Sequence, residues 1–224
     1  GYVIYKKVDK MRYLIVCGGK IDKEFGLNEI KTDGIDAIIA ADSGMDFLYE
    51  NGVTPDIIVG DFDSATTNAL EYFERKGQTE IRRLNPIKDD TDTEYAIRLA
   101  ISEGARSIVV LGATGSRIDH VLGNISLLGI GLESGTDICI IDTNNRIRMA
   151  DKPVTIEKSA QYGRFVSLIA VTDDNEVSLK GFKYPVTDYS FDRFTSLGIS
   201  NEIVDDQAVV DIHRGKFIII ESKD

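Results

Sequence analysis

The sequence predicts an α/β protein: an N-terminal parallel-sheet, Rossmann-like domain followed by a smaller C-terminal antiparallel-sheet domain. Three observations predict it. From Tyr13 to Asp142, short β-rich runs alternate with stretches of helical spacing, the signature of a parallel sheet covered by helices. After Asn144 the spacing changes to period two broken by turns, as in antiparallel strands. The length of 224 residues suits one medium and one small domain, here 1–144 and 145–224.

In chain order, the N-terminal strands read as Tyr13–Cys17, Asp36–Ala40, Asp56–Val59, Glu80–Leu84, Ser107–Leu111 and Asp137–Ile141. Between them, Ala69, Leu70 and Phe73 share one helical stripe, and Ala96, Ile97, Ala100 and Ile101 share another, so both helices present these residues to the core. A further helix starts near Ile118. In the tail, Val154–Glu157, Phe165–Val171, Glu176–Leu179, Val209–Ile212 and Phe217–Ile220 alternate as strands, with no helix between them. The stretch His213 to Lys216, lying between the last two, reads as a hairpin turn.

Composition sets the outer bounds. With 42% hydrophobic and 28% charged residues, the chain can bury a core and is not of the disordered type. Against 26 basic residues stand 37 acidic ones, so the net charge of −11 excludes a non-specific nucleic-acid binder, and an anionic substrate needs local cations or a bound metal. Cys17 and Cys139 are far apart and sit in apolar runs, as buried thiols rather than metal ligands. No leader and no membrane-spanning apolar run is read, which predicts a cytoplasmic protein with no membrane partner. Neither a Gly-Lys-Ser/Thr phosphate loop nor the dinucleotide fingerprint occurs; Gly129-Ile130-Gly131 has the wrong continuation.

Ligands of open α/β sheets bind beyond the carboxyl ends of the strands. Here those ends are acidic: Ala41-Asp42-Ser43-Gly44 after the second strand, Gly60-Asp61-Phe62-Asp63-Ser64 after the third, Lys88-Asp89-Asp90-Thr91-Asp92 after the fourth, and Gly112 to His120 after the fifth. If the segment is extended, Asp61 and Asp63 face one side while Phe62 faces the core. Mg²⁺ takes a few carboxylates and leaves its other positions to water and phosphate, so this set suits a metal–nucleotide site; zinc is disfavoured for want of Cys and His. The competing role is helix capping, and Thr91-Asp92-Thr93-Glu94 has the form of a capping box. Capping alone, however, gives no reason to crowd like charges at adjacent strand ends. Gly112-Ala113-Thr114-Gly115-Ser116-Arg117 offers backbone N–H groups and a guanidinium fork to phosphate. Lys88, Arg82 and Arg83 could reach phosphate, though solvation is the ordinary role of the arginine pair, and His120 reads as a hydrogen-bonding group of its helix.

Taken together, these segments resemble the thiamine pyrophosphokinase family in order and spacing, with Asn124 added in the first half. In the second half the resemblance rests on Phe165-Val166-Ser167-Leu168, Gly181-Phe182-Lys183-Tyr184-Pro185 and Gly198-Ile199-Ser200-Asn201-Glu202. It implies an ATP:thiamine diphosphotransferase using Mg²⁺, with an α/β catalytic domain, a β-sandwich domain, and a homodimer that binds thiamine between subunits. It implies Asp61, Asp63 and Asp92 for Mg²⁺ and the triphosphate, with Arg117 and Asp119 completing the nucleotide site. Asp42, Ser43, Gly44, Ser64, Lys88, Thr114, Gly115 and Asn124 join the nucleotide contacts, and Ser200 and Asn201 contact thiamine. Asp92, then Asp61, are the candidates to accept the hydroxyl proton. Some family members offer thiamine a Trp ring; this chain has none, and Phe194, Tyr189 and Phe217 are the aromatic candidates in its place. Two other classes compete: a metal-dependent phosphohydrolase, and a non-catalytic nucleotide or thiamine-diphosphate sensor.

Overall fold

The computed structural model describes residues 11–62, 68–87 and 90–224. Among them run strands β1 (Arg12–Val16), β2 (Ala37–Ala41), β3 (Ile57–Gly60), β4 (Glu80–Arg83), β5 (Ser107–Leu111) and β6 (Asp137–Ile141). Helices α1 (Lys23–Ile30), α2 (Gly44–Glu50), α3 (Asn68–Lys76), α4 (Asp92–Ser102), α5 (Ile118–Ser126) and α6 (Leu128–Ser134) lie between them. The tail holds β7 (Asn145–Ala150), β8 (Val154–Glu157), β9 (Phe165–Ala170), β10 (Glu176–Lys180), β11 (Val186–Ser190), β12 (Asn201–Glu202), β13 (Gln207–Arg214) and β14 (Phe217–Ser222).

The protein is mixed α/β, with one large, mostly parallel sheet and a separate antiparallel one. The large sheet runs β12-β9-β14-β7-β6-β5-β1-β2-β3-β4, and β1 to β6 pair in parallel. Because side chains alternate along a strand, β1 feeds two cores. Tyr13, Ile15 and Cys17 pack with Ala96, Ile97 and Ala100 of α4 on one face, while Leu14 and Val16 pack with α2 and α3 through Met45, Leu48, Leu70 and Phe73 on the other. Both helical stripes expected from the sequence are therefore core.

The chain moves outward from β1 through β2, β3 and β4, then returns to place β5 on the other side of β1. That reversal opens a crevice at the carboxyl ends of β1 and β5, where open α/β sheets bind ligands.

The tail departs from a single small sheet. β7 pairs antiparallel with β6, so the large sheet continues through Asn144, and β14, β9 and β12 extend it further. The remaining strands form the sheet β11-β10-β13-β8. Val166, Leu168, Phe217 and Ile219 of the large sheet share one core with Val177, Leu179, Val210 and Ile212 of the small one. The segment His213–Lys216 is not a hairpin turn, because β13 and β14 belong to different sheets. Gly215 (φ 88°) reverses the chain there, and Lys216 N–H donates to Thr172 Oγ1 (2.9 Å) instead of to a neighbour across a hairpin.

Candidate functional site

The acidic strand ends meet because small residues let the strands close up. At Gly44 a Cβ would collide with the Val16 carbonyl, so α2 starts hard against β1. At Gly60 it would meet Phe62 Cε1 at 2.9 Å and Asp42 Cα at 3.3 Å, so only glycine lets the ends of β2 and β3 approach this closely. Asp42 (φ 47°) and Phe62 (φ 57°) both adopt the left-handed backbone. This corrects the extended reading of Asp61 to Asp63: the chain bends at Phe62, which folds its buried ring back over Gly60 and leaves Asp61 facing the cleft.

α4 supplies the third acid. Thr91 caps it, its Oγ1 accepting from Glu94 N–H at 3.2 Å, so Asp92 sits in the first turn of the helix. The capping role thus belongs to Thr91. Carboxylate oxygens of Asp42, Asp61 and Asp92 lie within 4.8 Å of one another. Burial pushes the Asp42 carboxyl above its usual range and Asp92 adds to the rise; the Ser43 N–H opposes it and Asp61 adds again. Crowded, half-buried carboxylates of this kind favour a cation among them.

These three acids line a cleft of about 850 Å³, within the range of small-molecule sites. Ser43, Gly115, Arg117, Asp119 and Asn124 line it too, Asn124 holding the Ala113 carbonyl through Nδ2 at 2.9 Å. Arg117 and Asp119 form an exposed ion pair at 2.6 Å. Their hydrogen bond raises the pKa of the guanidinium and lowers that of the carboxyl. His120 lines the cleft from α5. Thr114 turns away and donates to Asp142 Oδ2 at 2.6 Å, lining a neighbouring cavity, and Gly44 is buried behind the cleft wall. Arg82 pairs with Glu80 and Glu103, and Arg83 with Glu74, so neither is a free cation. Asp63, Ser64, Lys88 and Asp89 lie outside the described residues. The sequence reading missed Cys17, Gly18 and Gly19, which line the cleft from β1. The signal was the Gly-Gly pair after the first strand, significant once β1 and β5 are known to be neighbours.

Ser200 and Asn201 lie elsewhere. β12 is the far edge of the large sheet, seven strand steps from β2, roughly 30 Å at ~4.8 Å per step. Ser200 is exposed with φ 63°, and its N–H donates to Ser167 Oγ at 3.0 Å. Asn201 is buried and grips Tyr184, accepting from its N–H at 3.1 Å and donating to its carbonyl at 3.0 Å. That grip holds out the Tyr184 ring, which is 62% exposed, under the Lys183 ammonium 5.5 Å from its centroid. Of the three aromatic candidates, Phe217 is fully buried and cannot receive a ligand, whereas Phe194 is 89% and Tyr189 37% exposed. Tyr184 was not among them.

Residues 31–140 match the family description "Thiamin pyrophosphokinase, catalytic domain", and residues 153–217 match "Thiamin pyrophosphokinase, vitamin B1 binding domain". The thiamine pyrophosphokinase of Bacillus subtilis (strain 168) is 34% identical over 188 residues, 83% of this chain and 87% of that protein. A crystal structure of thiamine pyrophosphokinase from Bacillus subtilis aligns with a TM-score of 0.85 at 31% identity, covering 95% of this chain and 99% of that one. The corresponding structure from Geobacillus thermodenitrificans gives 0.83 at 29% identity, over 96% and 98%. Matched in both halves, the chain belongs to the thiamin pyrophosphokinase family.

Proposed function

We propose that the chain transfers a pyrophosphoryl group from ATP to the hydroxyl of thiamine, in the acidic cleft, releasing AMP. The observation that carries this is the gathering of Asp42, Asp61 and Asp92 at the strand ends beside the switch-point crevice. The donor set is all-oxygen, crowded and open to a cleft, which fits Mg²⁺ shared with phosphate; Asp63, the other expected ligand, lies outside the described residues. When bound, the ion neutralises phosphate charge. The chain's own residues do the rest. The N–H groups at Gly115 and Ser116 and the Arg117 fork bind and orient phosphate oxygens. The thiamine oxygen forms its bond to the β-phosphorus as the bond from that phosphorus to the α,β-bridging oxygen breaks, and AMP keeps that oxygen. The hydroxyl proton passes to Asp92 or, failing that, Asp61.

Thiamine comes from the second half of another copy. Within one chain Ser200 lies too far from the acids, so a homodimer in which each cleft faces its partner's 182–201 segment satisfies both halves of the site. There Tyr184 offers its ring to the cationic thiazolium, as it does to Lys183 within the chain. The division of labour falls near Asn144. The free thiols of Cys17 and Cys139 suit the reducing cytoplasm, and among the described residues no helix is long and apolar enough to cross a membrane.

Incubation with ATP and Mg²⁺, with and without thiamine, is expected to yield AMP only when thiamine is present. Production of ADP or free phosphate overturns the reading, as does full activity in chelator for the metal.

A further inference from the structure

The small sheet buries Val177 and Leu179 of β10 in the shared core, so Glu176 and Ser178 stand on its other face. A cluster gathers there that the proposed transfer does not use. His213 of β13 lies among three carboxylates: its Nδ1 is 3.8 Å from Glu176 Oε1, and its Nε2 is 3.7 Å from Asp188 Oδ1 of β11 and 3.9 Å from Asp211 Oδ2. One donor atom each from Glu176, Asp188 and His213 lies within 4.8 Å of the other two. Two irregularities in pairing bring these residues together. Against β13, Glu176 matches Arg214 and Val177 matches Ile212, which leaves His213 as an extra residue. Against β11, Val177 matches Tyr189 and Leu179 matches Val186, so Thr187 and Asp188 both stand opposite Ser178. Bulges of this kind re-aim side chains. Here they converge on Ser178, which is only 2% exposed; its Oγ accepts from Asp188 N–H at 2.9 Å and lies 3.1 Å from His213 Nε2.

We propose that Glu176, Asp188 and His213 form a second divalent-cation site, for an ion of the zinc class, separate from the acidic cleft. One imidazole nitrogen with two carboxylate oxygens suits Zn²⁺, whereas Mg²⁺ takes oxygen donors and keeps its water. Ligands about 2.1 Å from a tetrahedral ion stand roughly 3.4 Å apart. The spacings of 3.7 and 3.8 Å around the imidazole therefore need only small side-chain rotations to close. Nearby cations leave a charge for the ion to neutralise: Arg214 reaches Glu176 at 3.3 Å and Lys180 reaches Asp211 at 3.2 Å, but among the described residues no lysine or arginine pairs with Asp188. Asp188 is exposed, so the fourth position is open to water. An ion held there ties β11, the edge strand of the small sheet, to β10 and β13. Since β11 runs between Tyr184 and Ser200, the brace acts on the segment 182–201. The site itself stands whether or not the transfer reading does.

The test is calorimetric titration of Zn²⁺ into chelator-treated protein in excess Mg²⁺, for the wild type, His213→Gln and Asp188→Asn, with melting temperatures measured in chelator and in Zn²⁺. The chain has two histidines, His120 and His213, so imidazole NMR signals report directly on which one the ion meets. Zn²⁺ is expected to shift the His213 ring resonances of the wild type and to raise its melting temperature, as a ligand of the folded state does. Each substitution is expected to weaken Zn²⁺ about tenfold or more, at least the loss seen when an outer partner of a metal ligand is removed. The same rise in melting temperature in His213→Gln as in the wild type overturns the proposal, as does unchanged Zn²⁺ affinity in both variants. Resonances of His213 that do not move in the wild type overturn it without recourse to any variant, and a shift confined to His120 would place the ion in the acidic cleft instead.

Discussion

Asp42 carries two opposed demands. Folding pushes it into a left-handed turn and a half-buried position beside two other acids, and the proposed chemistry uses the charge so concentrated. Asp42→Asn is therefore expected to lower turnover by about a hundredfold or more while leaving the melting temperature level or raised, because a neutral amide relieves the repulsion. Asp61→Asn and Asp92→Asn are expected to share the loss of turnover with a retained fold; assays of turnover beside thermal unfolding check all three, and normal activity per folded molecule in any of them removes that residue from the site. Asn201 reverses this pattern. Its amide satisfies the Tyr184 N–H and carbonyl and accepts from Glu202 N–H at 3.0 Å, so Asn201→Ala is expected to cost about 1–3 kcal/mol of stability. Tyr184→Ala, at an exposed ring, is expected to leave stability near wild type and to raise the KM for thiamine. Denaturant titrations beside thiamine kinetics separate the two. The sequence showed Asp42, Asp61 and Asp92 as strand-end acids. That Asp42 joins the other two depends on the bend at Phe62 and the approach of β2 to β3 at Gly60, which residue order does not reveal.

At the scale of elements, β7 and β14 join around a buried charge. Glu221 is fully buried on β14; Arg146 of β7 grips it through two nitrogens at 2.8 and 2.9 Å, Arg148 adds a third contact at 2.9 Å, and Tyr162 N–H donates at 3.0 Å. Burial alone would push its pKa up, but the Arg146 fork, the Tyr162 N–H and the charges of both arginines outweigh it and hold the carboxyl below its usual range. A carboxylate with a depressed folded pKa contributes stability that is present above its unfolded value and lost as pH falls through the folded one. The seam is therefore expected to weaken on acidification below the ordinary glutamate range. Glu221→Ala is expected to lose about 3 kcal/mol at neutral pH and to show a flatter acid limb, measured by denaturant unfolding across pH. Alternation in the sequence identified most of these strands. It could not give their partners, because a period-two pattern marks a buried face without saying which sheet covers it, and for that reason β13 and β14 looked like a hairpin. β7 escaped notice because Asn145-Arg146-Ile147-Arg148 puts two arginines on a face whose acceptor, Glu221, comes far later in the chain.

For the whole molecule, the distance between the two halves of the site turns a geometric fact into a test of assembly. If each cleft is completed by the partner's 182–201 segment, a chain disabled in its cleft by Asp92→Asn still presents an intact thiamine segment, and a chain disabled by Tyr184→Ala with Ser200→Ala still has an intact cleft. In a symmetric dimer of one of each, the two lesions fall together in one site and leave the other whole. Random mixing makes about half of the dimers mixed, and half of their sites are intact, so two variants that are each nearly inactive are expected to recover about a quarter of wild-type turnover once their subunits exchange. Co-expression with two different tags, isolation of the doubly tagged species and turnover measurement check this. Isolated mixed dimers should approach half of wild type. A mixed species as inactive as its parents would mean that both halves of each site come from one chain. Roughly 30 Å of sheet then separates groups that must meet, which only a large rearrangement of β9, β14 and β7 could close. Since those strands form the core shared with the second sheet, such a rearrangement would unfold that core, whereas the proposed dimer leaves it intact.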